Sequence, residues 1–409
     1  MKQLIGAAVV GQSGGPTAAI NATLAGVIKG SLENKGAVSV LYGMKNGIEG
    51  LLREDFADLT AIFDGNEEML ETLAATPAAA LGSCRKKLPK PAEDREFYEN
   101  LISIFKKYDI RYFFYIGGND SMDTVAKLTE YLQGGCDWEM RVIGVPKTID
   151  NDLAGTDHTP GYGSAAKYIA TTVSEINRDC AVYTVPAVTI VEIMGRDAGW
   201  LTAAAGLPAL FSRPAPDYIY LPEVPFSKDK FIEDVKNALL KHPNVVIAVS
   251  EGVRDENGKY AGEGAQSGAA DVFGHKYLSG TGKALELLVK EKIGCKVRSV
   301  ELNICQRCAA HLQSGADISE SLGVAQAAVV AAVNGKTGCM MAMEREGGRI
   351  VFEPKEIAGI ANAVRSVPRS MINEEGNNVT EECLKYIYPL IQGEVQIKYE
   401  NGLPVHFVL

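Results

Sequence analysis

Four times along this chain an apolar run rich in β-branched or aromatic residues gives way to a glycine-bearing turn. LIGAAVV leads into GQSGGPTAAINATLAGVIKG, RYFFYI into GGNDSMDTVAKLTEYL, AVTIVEIM into GRDAGWLTAAAGL, and NVVIAVS into EGV. Repeated strand, turn and helix segments predict an α/β protein with largely parallel sheets. Ligands of such sheets collect at the carboxyl ends of the strands, so the glycine turns are candidate site loops.

With 409 residues there is material for two ordinary domains or one large one. Lys and Arg number 41 against 51 Asp and Glu, a net charge of -10, which argues against nucleic acid or an anionic membrane as partner. An anion bound here must meet a local positive site. No apolar run reads as long enough to cross a membrane, and the opening MKQLIGAAVVGQSGG reads as a first strand rather than a signal peptide. The eight cysteines of a chain without secretory context are expected to be reduced thiols of a cytoplasmic protein. Cys305 and Cys308 have metal-ligand spacing but no second such pair, and are expected to be core thiols. Asp255 to Gly280, rich in glycine and polar residues, reads as a loop excursion.

The first turn sets Gly14 and Gly15 between a strand and a helix expected to start near Thr17, so unpaired N–H groups can meet an oxyanion. It fits neither the Rossmann nor the Walker spacing. A second turn carries Gly117 and Gly118, then Asp120 and Ser121 at a helix start, where a plain N-cap is the competing reading. A third, VIGVPKTIDNDLAGTD, crowds Lys147, Thr148, Asp150, Asn151 and Asp152 into six positions. Two carboxylates so close to a lysine are costly unless a cation or a reacting hydroxyl uses them; a solvated turn is the plainer alternative. Phosphoryl transfer needs this inventory: a base, acids for a divalent cation, a cation for phosphate charge, and bare amides. Arg196 in IMGRDAG suits phosphate recognition, with an ion pair to Asp197 as the plainer reading. Glu251 in VSEG suits sugar hydroxyls, and ELNICQRCA delivers Arg307.

Taken in order, GQSGGPTAAIN, LGSCR, IGGNDS, PKTIDND, MGR, VSEG and QR resemble the 6-phosphofructokinase family across about residues 4 to 345. The resemblance implies two similar three-layer α/β domains with the active site in the cleft between them. It implies residues 1–159 with about 308–365 as the phosphoryl-donor domain, and about 160–307 with 366–409 as the sugar-phosphate domain. The reaction it implies moves a phosphoryl group to the 1-hydroxyl of fructose 6-phosphate. Asp150 would be the proton acceptor, with Lys147 beside it. Thr148, Ile149, Asp150, Met194, Gly195, Arg196, Glu251, Ile304 and Arg307 would hold fructose 6-phosphate, and Arg298 would reach in from a neighbouring subunit of a homodimer or homotetramer. Gly14, Arg85, Gly118, Asp120 and Lys147 would face the donor, and Asn119 and Asp152 would ligate Mg²⁺.

The donor is legible in one substitution. ATP-using members of the family carry Gly-Asp-Gly in the second turn, and the last of those glycines leaves room for an α-phosphate. Asp120 stands there, adding bulk and like charge that pyrophosphate does not meet. Lys147, where bacterial ATP enzymes usually have Gly, also resembles the pyrophosphate-dependent type. Three positions depart from the family pattern: Asn119 replaces a metal-binding Asp, Ala187 an Arg, and Ile304 a His or Tyr. An ATP-dependent enzyme of the same family is the nearest alternative. A non-catalytic sugar-phosphate sensor, motivated by Asn119, is the alternative of another class. Lipid and NAD kinases share a Gly-Gly-Asp loop but lack TIDND and MGR.

Overall fold

The computed structural model describes residues 3–262 and 280–409. Most of the expected excursion from Asp255 to Gly280 therefore lies outside the described residues. The first five strands are β1 (Gly6–Gln12), β2 (Val38–Met44), β3 (Phe56–Asp58), β4 (Ile110–Gly117) and β5 (Arg141–Pro146). Four more follow: β6 (Ala187–Ile193), β7 (Tyr218–Tyr220), β8 (Asn244–Ser250) and β9 (Lys296–Glu301). Strands β10 (Cys339–Glu346) and β11 (Arg349–Glu356) come last in the two main sheets.

The larger sheet has seven strands in the order β11-β10-β5-β4-β1-β2-β3, and the smaller has four in the order β7-β8-β6-β9. Every pairing in the smaller sheet is parallel. Among the described residues, only β2–β3 and β10–β11 are antiparallel in the larger sheet. Alternation along the strands decides which face each side chain covers. Ala8, Val10, Tyr112 and Phe114 join one apolar cluster, while Ala7, Val9, Phe113 and Tyr115 join another on the opposite face. The smaller sheet repeats the arrangement, with Val191 and Ile193 on one face and Val188 and Ile190 on the other. Both faces are thus covered, as parallel strands require.

Strand order reverses around β1, whose two neighbours are β2 and β4. That reversal opens a crevice at the carboxyl ends of β1 and β4, where the first two glycine turns lie. Helix Arg95–Lys107 follows the proline-bearing segment LPKPAED and is capped by the Asp94 carboxylate accepting from the Phe97 N–H at 3.0 Å. The first helix starts later than the sequence suggests. It spans Ile20–Glu33, because Thr17 folds its Oγ1 back to accept from the Ala19 N–H at 3.1 Å and holds the chain in a turn.

Two sequence expectations need correction. Helix Gly315–Val333 is long and apolar enough to cross a membrane by length and composition. Here it is a core helix, with Val324, Ala325, Ala328 and Val329 packed in the cluster that holds Leu24 and Ile28. Its Asp317 is buried and accepts from the Gly161 and Ser164 N–H groups at 2.8 and 2.9 Å. Cys305 and Cys308 are not core thiols either. Both are exposed, because they sit on a four-residue helix, Cys305–Cys308, whose buried residue is Gln306. From the span 366–409, Cys383, Leu384, Ile387 and Leu390 pack on the smaller sheet, whereas the Phe407 ring lies 5.3 Å from Phe63 beside the larger one.

Candidate active site

Three strand ends of the larger sheet meet at one point. The Ser13 N–H donates to the Ile116 carbonyl at 2.9 Å and the Lys147 N–H to the Gly117 carbonyl at 3.0 Å, so the turns after β1, β4 and β5 lie side by side. Gly117 has to be glycine: a Cβ there would fall 1.9 Å from Ser121 Oγ and 2.6 Å from Ser13 Oγ, two hydroxyls hydrogen-bonded to each other. Gly14 has φ +77°, a left-handed conformation that suits glycine, and a Cβ on it would lie 3.3 Å from Lys147 Nζ. The Lys147 ammonium is buried beneath this turn and donates to the Gly15 carbonyl at 2.7 Å. Gly118 and Arg85 line the same cleft, and Asp120 stands at its wall, ion-paired with Lys87 at 3.1 Å.

Across the cleft stand the ends of β6 and β8. The Glu251 N–H donates to the Ile193 carbonyl at 2.9 Å, and the Gly195 N–H to Glu251 Oε1 at 3.3 Å, so the MGR and SEG turns are tied together. Asp197 is paired with Arg254, not with Arg196. Arg196 Nε is buried without a hydrogen-bond partner among the described residues. Arg307 reaches back across the cleft, with its Nη1 3.4 Å from where a Cβ on Gly15 would be. The Met194 N–H donates to Gln306 Oε1 at 3.3 Å, which fixes the short helix that carries Arg307.

The cleft has a volume of about 780 Å³ and is lined from both sheets. Gly14, Arg85, Gly118, Asn119, Asp120, Lys147, Thr148, Ile149, Asp150 and Asp152 line it from one side. Met194, Arg196, Glu251, Ile304 and Arg307 line it from the other. Ile149 also belongs to the apolar cluster of the smaller sheet, and Ile304 is 54% exposed at the rim. Gly195 is buried beside this lining, held by Glu251. Arg298 is the exception: it is exposed on β9, an edge strand, outside the cleft lining of this chain. Sequence reasoning missed Lys86, Lys87, Glu192, Asn303, Gln306 and Asn362 as cleft residues. Lys86 and Lys87 directly follow Arg85, and that basic run was the available signal for an anion site in an acidic chain.

Burial strains the charges of the cleft. It holds Asp150 above the ordinary carboxylate range, against the pull of Lys147 and Arg196. It pushes Asp152 up to about 7, with the Asp150 charge adding to the effect, and Glu251 up to about 8. Lys147 is lowered to about 8 by the same desolvation, which Asp150 only partly offsets. Ligands of opposite charge would relieve each of these groups. Asn119 Oδ1 is buried with no hydrogen-bond partner among the described residues, an oxygen that a hard cation could use. Among the described residues no group of three or more His, Cys, Asp or Glu side chains could hold a metal alone.

The chain leaving the acid turn is anchored by an ionic cluster. Buried His158 lies between Asp157 and Glu320, at 2.8 Å from each, and Arg345 donates to Asp157 at 3.0 Å. Burial would lower the imidazole's pKa, but its hydrogen bonds to Asp157 and Glu320 hold it above the ordinary value of 6.5. Burial likewise raises Asp157, yet hydrogen bonds from His158 and Arg345 outweigh it and bring that acid to about 2. A raised folded pKa means that the charged His158 contributes fully below pH 6.5 and loses its contribution as pH rises through the folded value. Asp157 changes charge only in strong acid, outside this window. His158→Gln is therefore expected to lose about 1–3 kcal/mol of stability near pH 6 and clearly less near pH 9. Denaturant melts of both proteins across that range test this, and a gap that does not narrow would refute it.

Comparison with known proteins gives a consistent picture. The sequence profile of the family described as Phosphofructokinase matches residues 7–330. The pyrophosphate–fructose 6-phosphate 1-phosphotransferase of Halomonas elongata is 40% identical over 400 residues, covering 96% of this chain and 93% of that protein. The protein of the same name from Xanthomonas campestris is 40% identical over 404 residues, with 97% and 94% covered. The crystal structure of a pyrophosphate-dependent phosphofructokinase from Nitrosospira multiformis superposes with a TM-score of 0.87 at 37% identity, covering 98% of this chain and 96% of that one.

Proposed function

The chain belongs to the phosphofructokinase family, and from that premise we propose that it transfers a phosphoryl group reversibly between pyrophosphate and the 1-hydroxyl of fructose 6-phosphate. The products of the forward reaction are fructose 1,6-bisphosphate and phosphate. One observation carries the reading: Lys147, buried under the Gly14–Gly15 turn, shares a cleft with Asp150 while Asp120 stands at the wall of the donor side. The donor pocket is thereby charged for phosphate and narrowed against a nucleotide.

Fructose 6-phosphate sits with its phosphate against Arg196 and Arg307 and its hydroxyls toward Glu251, between Met194 and the Thr148–Asp150 turn. Asp150 accepts the proton of the 1-hydroxyl as that oxygen bonds to phosphorus, and the bridging oxygen of pyrophosphate leaves with the second phosphate. Burial makes the Asp150 carboxylate more basic than an exposed one, which suits that transfer. Lys147 donates to the leaving phosphate, whose charge favours the protonated amine. Mg²⁺ would be held by Asn119 and Asp152 and would neutralise donor oxygens. Asn119 and Asp152 would supply only one neutral and one acidic protein ligand, leaving the other positions to phosphate oxygens and water.

Arg298, exposed on the β9 edge, completes the sugar site of a neighbouring copy in a homodimer or homotetramer working in the cytoplasm. The decisive assay supplies purified protein with fructose 6-phosphate, Mg²⁺ and either pyrophosphate or ATP. Faster turnover is expected with pyrophosphate. A preference for ATP would overturn the donor assignment and leave the family's reaction standing.

A further inference from the structure

Asn151 stands between Asp150 and Asp152 with φ +55°, a left-handed backbone that sends the two acids to the cleft and its own side chain inward, where it is 0% exposed. The amide of that side chain donates to Tyr386 Oη at 2.9 Å. The same phenol donates to the Asp157 carbonyl at 2.7 Å and receives two N–H groups of Arg365 at 3.2 Å each. The Arg365 N–H in turn donates to the Asp152 carbonyl at 2.8 Å. One hydroxyl thus ties both ends of the segment 151–157, and its neighbour holds the second acid from behind.

The tether is itself built on the smaller sheet. The Tyr386 ring lies 5.0 Å from Trp200, a wholly buried member of that sheet's core, and Trp200 Nε1 donates to the Arg365 carbonyl at 3.0 Å. The Arg365 guanidinium covers the Trp200 face at 4.6 Å. Tyr386 does not line the cleft. Resting on the proposed reaction, we propose that Tyr386 is a positioning residue: through Asn151 it locks the left-handed turn and so sets where Asp150 and Asp152 stand relative to the sugar side.

Tyr386→Phe keeps the ring on Trp200 and deletes the tether. Turnover is expected to fall about tenfold or more, with the fructose 6-phosphate KM within about threefold of wild type, since a small displacement of a catalytic group costs rate before binding. Asn151→Gly keeps the left-handed turn accessible and cuts the same tether, so the double variant is expected to be no worse than the poorer single one. Unchanged turnover, a loss confined to KM, or losses that multiply in the double variant would each overturn the proposal. Wild-type turnover with pyrophosphate and with ATP, measured alongside, separates a wrong donor from a wrong positioning role. A crystal structure of Tyr386→Phe reads the role without any turnover: a displaced or disordered 150–152 turn is expected, and an unmoved one refutes the tether.

Discussion

Asp150→Asn is expected to lower turnover about 10²–10⁴-fold while leaving the fructose 6-phosphate KM much less affected. The substitution is nearly isosteric, so the Asp150 N–H can keep its 3.1 Å hydrogen bond to Thr148 Oγ1 and the turn can keep its shape. What disappears is the group proposed to take the sugar proton. Lys147 and Arg196 both pull this carboxylate toward its ionised form, against burial, which favours the neutral one and prevails in direction. The amide relieves that burial cost but withdraws the charge that partly offsets the desolvation of Lys147, so the variant is expected to fold with a stability close to the parent's. Steady-state kinetics with melting curves test the pair of expectations. Near-normal turnover would remove Asp150 as the base, and a collapse of stability would mean that its role is structural.

The second large effect is a change of donor. Asp120→Gly is expected to raise ATP use and lower pyrophosphate use, shifting the ratio by about 10²-fold. The structure refines the cause. The Asp120 side chain is 40% exposed and paired with Lys87 at 3.1 Å, so solvent and the ammonium both weaken its repulsion of an α-phosphate. If Asp120 excludes ATP as proposed, volume then carries more of the exclusion than charge. Asp120→Asn, which keeps the volume and removes the charge, is accordingly expected to retain most of the preference for pyrophosphate. Should Asn and Gly admit ATP equally, charge is the dominant cause; should neither change the ratio, donor choice lies elsewhere. Lys147→Gly would be a poor companion to Asp120→Gly, because it would empty a buried position under the Gly14 turn.

The sequence was informative where chemistry and local backbone coincide. A glycine turn at a strand end is written in a few consecutive residues, so the loops at Gly14, Gly117 and Lys147 were visible before any contact was known. Contacts across long stretches of chain were not. Tyr386 meets Asn151 over a separation of 235 residues, and nothing near either residue announces the other. Lys87 lies two residues from Arg85 in the sequence, but only the fold brings it to Asp120. Burial was misjudged where function competes with packing. Cys305 and Cys308 flank Gln306 and Arg307, and a helix that presents an arginine to a cleft must lie at a surface. The apolar helix Gly315–Val333 misled in the other direction, since continuous small residues suit a tight helix pair in a core as well as a long apolar span.

Strand β5 ends at Pro146, whereas its outer neighbour β10 begins only at Cys339. On a ribosome, the outer edge of β5 therefore waits for roughly 190 further residues, about 10–40 s at ordinary elongation rates. All four strands of the smaller sheet are translated within that interval. The strands of the smaller sheet can pair before the β10–β11 hairpin exists, and the hairpin then adds to the larger sheet, registering with β5 through Cys339 with Ile143 and Met340 with Gly144. During the wait, the nascent chain already holds the three glycine turns but also offers unpaired backbone groups to any passing strand. A translational pause before Cys339 would therefore favour aggregation over loss of the glycine turns, and a chaperone that shields this edge would protect the growing chain.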